Sequence, residues 1–403
     1  MAPGSAYAIE QASDLCYGRL GHRDGLWTAC DRNGGISGGR IYRFSPATLA
    51  AARDDGSTIV ADEEIVVAEP SEGWSAFRKS HASLGTEVLD HIQERVTAGL
   101  IQQTSAEAAA QRKEDKEGKF SKLLDLEAIT IGVSVKPPHE PRLFVVAEEP
   151  FSLILELRLK DMGNVVGNEM GQPTQAKLVA PTQAELMAVY RYMERDDEHG
   201  LDFNDGIEGL AYAGSPGRFW WVEEGTRLHK PDAHPRLFFD APRLGLGEIK
   251  EHVLVPIEPV SENLTQAVRR HKQGDQQTLN AVCVVNQKGE GKSEGEGEDK
   301  SLQGMLLTLD RNGGWILAAD PKTQNVVRWF NLYDISGLNL RERLANFPGP
   351  RRMPYVSMEG IALDEADQIW LVDDPAMPEP FRDSCLVRIA DMPLPTISIG
   401  TKQ

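Results

Sequence analysis

Apolar residues fall in short runs along the chain, separated by turns bearing Gly, Asp or Asn such as Arg23-Asp24-Gly25 and Asn312-Gly313-Gly314. The runs are rich in β-branched and aromatic residues and carry little polar alternation, so they predict strands buried on both faces. Five segments repeat one pattern. Asp14-Leu-Cys-Tyr precedes Leu26-Trp-Thr-Ala-Cys-Asp31, and Glu127-Ala-Ile-Thr precedes Leu143-Phe-Val-Val-Ala-Glu148. Glu208-Gly-Leu-Ala precedes Phe219-Trp-Trp-Val-Glu-Glu224, Gln303-Gly-Met-Leu precedes Trp315-Ile-Leu-Ala-Ala-Asp320, and Glu359-Gly-Ile-Ala precedes Ile369-Trp-Leu-Val-Asp-Asp374. A third strand follows each pair, at Arg40–Phe44, Leu153–Leu157, Arg236–Phe239, Val326–Phe330 and Leu386–Ile389. A unit of three or four antiparallel strands cannot bury its own faces, and repetition predicts stacking around an axis. The expected fold is all-β: a β-propeller of five four-stranded blades, or six if a degenerate blade lies in 160–207 or around Leu279 to Asn286. The run Asp-Arg-Asn-Gly-Gly occurs at 31–35 and again at 310–314. In this register the first copy follows a second strand and the second precedes one, so the match reads as coincidence.

Residues 1–403 read as a single propeller domain with two insertions. Residues 74–119 turn helical, with Leu84, Val88, Ile92 and Val96 on one stripe and Leu89 and Leu100 beside it. This predicts a helical insertion after the first blade: a hairpin packed on the propeller's side, a cap over its mouth, or an arm for a partner. Residues 259–300 form the second insertion, ending in the Gly/Glu/Lys run from Lys288 to Lys300, whose composition suits a flexible loop.

The acids are placed by this pattern. First strands line the central channel and second strands run antiparallel beside them. Residues entering a first strand and residues leaving a second strand therefore share one end. The inner column is Asp14, Glu127, Glu208, Gln303 and Glu359; the outer acidic rim is Asp31, Glu148, Glu224, Asp320 and Asp374, with Glu149, Glu223 and Asp373 adjacent. Converging carboxylates take up protons or bind a cation. A ligand set of oxygens alone, with Gln303 as a neutral donor, favours Ca2+. The competing reading is that these acids pair with Arg or accept backbone N–H bonds at strand ends.

Composition narrows the function. The chain has 403 residues, 43 Lys and Arg against 61 Asp and Glu, and a formal charge of −18, which disfavours phosphate backbones, so no nucleic-acid partner is expected. No run reaches the ~20 apolar residues of a membrane span. The four scattered cysteines read as free thiols in a reducing compartment. With no leader evident at Met1 to Ser13, this gives an expected cytoplasmic location; a removed leader would make it periplasmic or secreted. Arg32, Arg227, Lys230 and Lys322 lie on loops of the acidic face and are read as solvated charges before phosphate ligands. His229, Asp232 and His234 lie close in sequence, with nothing to fix their geometry.

The Glu-Gly-Leu-Ala and Glu-Gly-Ile-Ala strand starts resemble those of the "esterase-like activity of phytase" family and the related SdiA-regulated proteins. So do the endings Val-Val-Ala-Glu-Glu-Pro, Trp-Val-Glu-Glu-Gly and Leu-Val-Asp-Asp-Pro, and Cys-Asp-Arg-Asn before Arg-Ile-Tyr-Arg-Phe. The resemblance spans the blades and neither insertion. It implies a calcium-associated propeller with a negatively charged mouth. Two functions follow: a protein-interaction scaffold, its partner meeting the helical insertion or the rim, with the carboxylate ring binding calcium; or a calcium-dependent phytase- or esterase-like hydrolase acting at that mouth. No Gly-x-Ser-x-Gly elbow is present, and the scaffold is the favoured expectation.

Overall fold

The structure, a computed structural model, describes residues 9, 12–31, 39–52, 59–104, 123–148, 152–160, 181–192, 206–223, 227–228, 238–239, 242–257, 278–285, 304–311, 314–322, 326–332, 358–373 and 384–389. The chain begins with four antiparallel strands, β1 (Ala12–Leu20), β2 (Arg23–Cys30), β3 (Ile41–Phe44) and β4 (Glu63–Ala68). Helix α1 (Pro46–Ala51) lies between β3 and β4, and its first turn is capped by Ser45, whose hydroxyl accepts from the Thr48 N–H. A second set is β5 (Asp125–Val133), β6 (Pro141–Glu148), β7 (Leu153–Leu159) and β8 (Thr182–Tyr192). The third holds β9 (Ile207–Tyr212) and β10 (Arg218–Glu223), then a two-stranded hairpin of β11 (Arg227–Leu228) and β12 (Phe238–Phe239), then β13 (Arg243–Lys250) and β14 (Val253–Pro256). β15 (Leu279–Val285), β16 (Met305–Asp310), β17 (Trp315–Ala319) and β18 (Val326–Asn331) form the fourth set, and β19 (Met358–Leu363), β20 (Ile369–Asp373) and β21 (Leu386–Ile389) the fifth.

The innermost strands touch in a cycle: β1 against β5, β5 against β9, β9 against β15, β15 against β19, and β19 against β1. Apolar cores fill each gap between successive sets. One gap is closed by Phe144 against Phe219, with ring centroids 4.8 Å apart, and another by Trp220 and Leu244 with Leu306 and Leu317. The last gap, between the first and final sets, buries Leu15, Leu26 and Tyr42 against Ala362, Trp370 and Val372. This closure is propeller-like, because every set has a neighbour on both faces. At the outer edge β8 ties three sets together, pairing in parallel with β4 through residues 182–185 and with β14 through Arg191 and Tyr192.

Several expectations are corrected. Leu279–Val285 lies inside the expected 259–300 insertion, yet it is the innermost strand of the fourth set, so the strand after Gln303 (β16) is second there and not first. Val326–Asn331 is accordingly fourth. Phe238–Phe239 belongs to the small hairpin, and β13 is the third strand of its set. The segment 182–192 completes the second set as its outer strand. Within the two regions considered for a sixth blade, the described strands Thr182–Tyr192 and Leu279–Val285 belong to the second and fourth sets.

The helical insertion is seen as α2 (Trp74–Ser80), a 3-10 turn at Ala82–Leu84, and α3 (Thr86–Thr104); residues 105–119 lie outside the described residues. Leu84, Val88, Leu89, Ile92 and Val96 are buried in a common core with β1–β8, and the insertion packs on the side of the sheets. No helix among the described residues is long and apolar enough to cross a membrane. His81, at the end of α2, stacks on Phe77 at 4.0 Å and meets His252 edge-on at 4.4 Å. Burial lowers its pKa from 6.5 to about 4, with the neighbouring His252 and Lys136 adding to the effect and the Phe77 carbonyl opposing it. A lowered histidine pKa contributes stability that is complete above pH 6.5 and is lost as pH falls toward 4. Amides of α2 are therefore expected to lose hydrogen-exchange protection between pH 6.5 and 4 ahead of β5 and β6. Uniform loss across all three elements would contradict this.

Candidate metal centre at the strand entrances

All five innermost strands break register once, close to their start. Two residues of each strand stand opposite one step of the neighbour, and the extra residue is Ser13 in β1, Glu127 in β5, Glu208 in β9, Asn280 in β15 and Glu359 in β19. A β-bulge of this kind re-aims a side chain at the end of a strand. The residue after the bulge is small in four strands: Ala128, Gly209, Ala281 and Gly360. There the backbones of neighbouring innermost strands approach closely. A Cβ on Gly209 would lie 2.7 Å from Ala281 Cα, and one on Gly360 would lie 2.8 Å from Leu15 N. The entrance ring is therefore Ser13, Glu127, Glu208, Asn280 and Glu359.

Two expected members of the inner column are corrected by this register. Asp14 occupies the position of the small residues. It is fully buried, and its Oδ2 accepts from the Ile129 N–H of the next innermost strand at 3.1 Å. Burial holds its carboxyl well above the usual range, against the lowering effect of the Ile129, Leu15 and Leu210 N–H groups. Asn280 takes the place expected for Gln303, which lies outside the described residues and precedes a second strand.

The acids divide by partner. Glu359 is ion-paired with Arg311, which directly follows β16. Glu223 accepts from Trp221 Nε1 at 3.0 Å and from the Tyr192 hydroxyl, and lies 3.7 Å from Arg243 Nε. Asp310 accepts from the Thr278 N–H, and Asp373 from the Cys385 N–H. For these residues the pairing reading holds. Asp320 ends the third strand of its set, at the end opposite the entrances, where it accepts from the Lys322 N–H at 2.8 Å. Glu224 and Asp374 lie outside the described residues.

Glu127 has a different environment. Its carboxyl is held well above the usual range by burial first, and then by Asp31, Asp125, Glu208 and Glu148; among the described residues the charges acting on it are all carboxylates. Oxygens of Asp31, Asp125 and Glu127 lie within 4.8 Å of one another, and the three residues could hold a metal ion. The fold brings them together through antiparallel geometry. Asp31 leaves β2, Asp125 opens β5 opposite Glu148, and the bulge sends Glu127 to the same end. Glu148 is anchored by accepting from the Gly206 N–H at 3.3 Å. Asp125 was not anticipated from the repeat, since no other strand start carries an acid two residues before the bulge.

An all-carboxylate donor set fits a hard divalent cation, because such ions take oxygen ligands and relieve like-charge crowding. Cys16, Cys30, Cys283 and Cys385 form no disulfide, and burial, with the Asp14 charge, pushes the Cys16 and Cys283 thiols up.

No family model matches the chain, and no curated protein matches it. Among solved structures, the chain is similar to a luciferin-regenerating enzyme at 10% identity and a TM-score of 0.35, over 96% of this chain and 78% of that one.

Proposed function

We propose that the chain is a five-bladed β-propeller whose working end is a divalent-cation site of calcium type, formed by Asp31, Asp125 and Glu127 with Glu148 and Glu208 close by. The observation that carries this reading is the crowding around Glu127, whose carboxyl is held above its ordinary range by burial first and then by four neighbouring carboxylates. When bound, such an ion would polarise an oxygen of a ligand presented at the mouth. The protein's own residues hold the carboxylates at one end, bury them partly from water and keep Arg311 in place through Glu359.

Of the two uses considered, a calcium-dependent phytase- or esterase-like hydrolase acting at the mouth draws the stronger support. The scaffold reading placed its partner on the rim or on the helical insertion. The insertion's apolar stripe is packed into the core shared with β1–β8, so among its described residues it offers a protein partner polar faces of α3.

The test is a melting curve of chelator-treated protein with calcium, and with magnesium as control. Binding to the native state stabilises by about 2.7 kcal/mol at a hundredfold excess over Kd, so calcium should raise the midpoint. Glu127→Gln removes a crowded acid and should melt no lower than the unaltered protein without metal, yet lose the calcium response. An unchanged calcium response in Glu127→Gln would sink the assignment.

A further inference from the structure

Asn280, the neutral member of the entrance ring, has chemistry that the cation site leaves unused. Its side chain is 1% exposed, and neither Nδ2 nor Oδ1 has a hydrogen-bonding partner among the described residues. A buried amide with both ends unpartnered is costly, and native proteins rarely carry one without a purpose. The bulge in β15 directs Asn280 to the mouth by the same register break that directs Glu127 and Glu208. β9 and β15 approach closely at the next residues, Gly209 and Ala281, and Glu208 and Asn280 directly precede this contact on adjacent strands. In the cycle of innermost strands, β15 stands opposite the β1–β5 pair, so the start of β15, with Asn280, lies across the mouth from the start of β5.

An amide with donor and acceptor both available recognises a group that accepts and donates at one atom, which is a hydroxyl. A second anion is disfavoured there by Glu208. We propose that Asn280 is the specificity-determining contact of the mouth: it hydrogen-bonds a hydroxyl of a small hydroxylated carboxylate whose charged end meets the divalent cation. This inference rests on the cation site proposed above.

Calorimetry in saturating calcium tests it with glycerate and propionate, acids of equal charge and carbon count that differ in their hydroxyls. Glycerate should bind about tenfold more tightly, as expected for hydrogen bonds made in a desolvated site. Asn280→Leu, of similar size, should reduce the preference to about twofold or less by the loss of those bonds. A calcium-induced rise in its melting midpoint would show that the variant is folded with its cation site intact. Asn280→Ala serves where leucine disturbs the packing. Equal affinity for the two acids in the unaltered protein, no binding of either, or a preference that survives in both variants overturns the inference. Absence of any calcium response overturns the cation site, and this inference with it.

Discussion

Gly209→Val is expected to lower the melting midpoint of the protein sharply. A Cβ at this position would lie 2.7 Å from Ala281 Cα, 2.9 Å from Val282 N and 2.8 Å from Val222 Cγ2. Two of these atoms are backbone of the next innermost strand and cannot swing aside. Gly360 makes the same approach to β1, its Cβ falling 2.8 Å from Leu15 N and 2.9 Å from Asp14 C. Each contact is a link in the cycle of innermost strands, so moving one strand outward strains every gap. Overpacking of a well-filled core costs about 1–3 kcal/mol and more where backbone must move. The full methyl pair of valine at such a point should reach the upper end, a large part of a typical folding stability of about 5–15 kcal/mol. Gly99→Ala is the control. It lies in α3 with nothing within 4 Å of its Cβ, and alanine there should stabilise by about 1 kcal/mol through helix propensity. Melting by circular dichroism separates them: a Gly209→Val midpoint near that of the unaltered protein would contradict the cyclic arrangement.

The same small residues explain how far the fold was legible. Glu127-Ala-Ile, Glu208-Gly-Leu and Glu359-Gly-Ile each join a bulge residue, a residue small enough for the neighbouring backbone, and an apolar residue. Gln303-Gly-Met imitates that triplet at the start of a second strand. The true fourth copy, Asn280-Ala-Val, was overlooked because it follows a polar stretch and carries no acid. One signal in the sequence does mark this strand. Asp-Arg-Asn-Gly-Gly at 31–35 and 310–314 marks the departure from a second strand in both places, one residue out of step: Cys30 and Asp310 stand opposite Ala12 and Leu279. Placing the fourth first strand correctly turns the supposed coincidence into a structural repeat.

Site legibility followed the same physics. Antiparallel pairing alone places the end of β6 beside the start of β5, and the Asp125–Glu148 pairing follows from it. Pattern could not supply the bulges, which shift Asp14 by one position and take it from the entrance ring into the wall between β1 and β5. Nor could it show that Arg311 would claim Glu359, since that depends on which strand of the fourth set is innermost.

Asp14→Asn should stabilise the metal-free protein at pH 8 and much less at pH 5. The Asp14 pKa is raised above its ordinary value of 3.8 by burial, so the native state keeps its proton to higher pH than the unfolded chain does. Between 3.8 and the raised value the native state binds more protons, and stability falls as pH rises; beyond it the cost is constant, about 1.4 kcal/mol for each pKa unit of displacement. Glu127 acts in the same direction, whereas His81 acts in the opposite one and is silent above pH 6.5. Denaturant midpoints from pH 6.5 to 8 in chelator therefore isolate the raised acids. Asparagine keeps an oxygen for the Ile129 N–H and removes the ionisation, so it should be the more stable form throughout this range. The opposite result, an unaltered protein more stable than Asp14→Asn at pH 8, would mean that Asp14 is ionised with a compensating charge beside it. The cation would then sit deeper in the channel, against β1, and the cluster at Asp31, Asp125 and Glu127 would be its approach and not its seat.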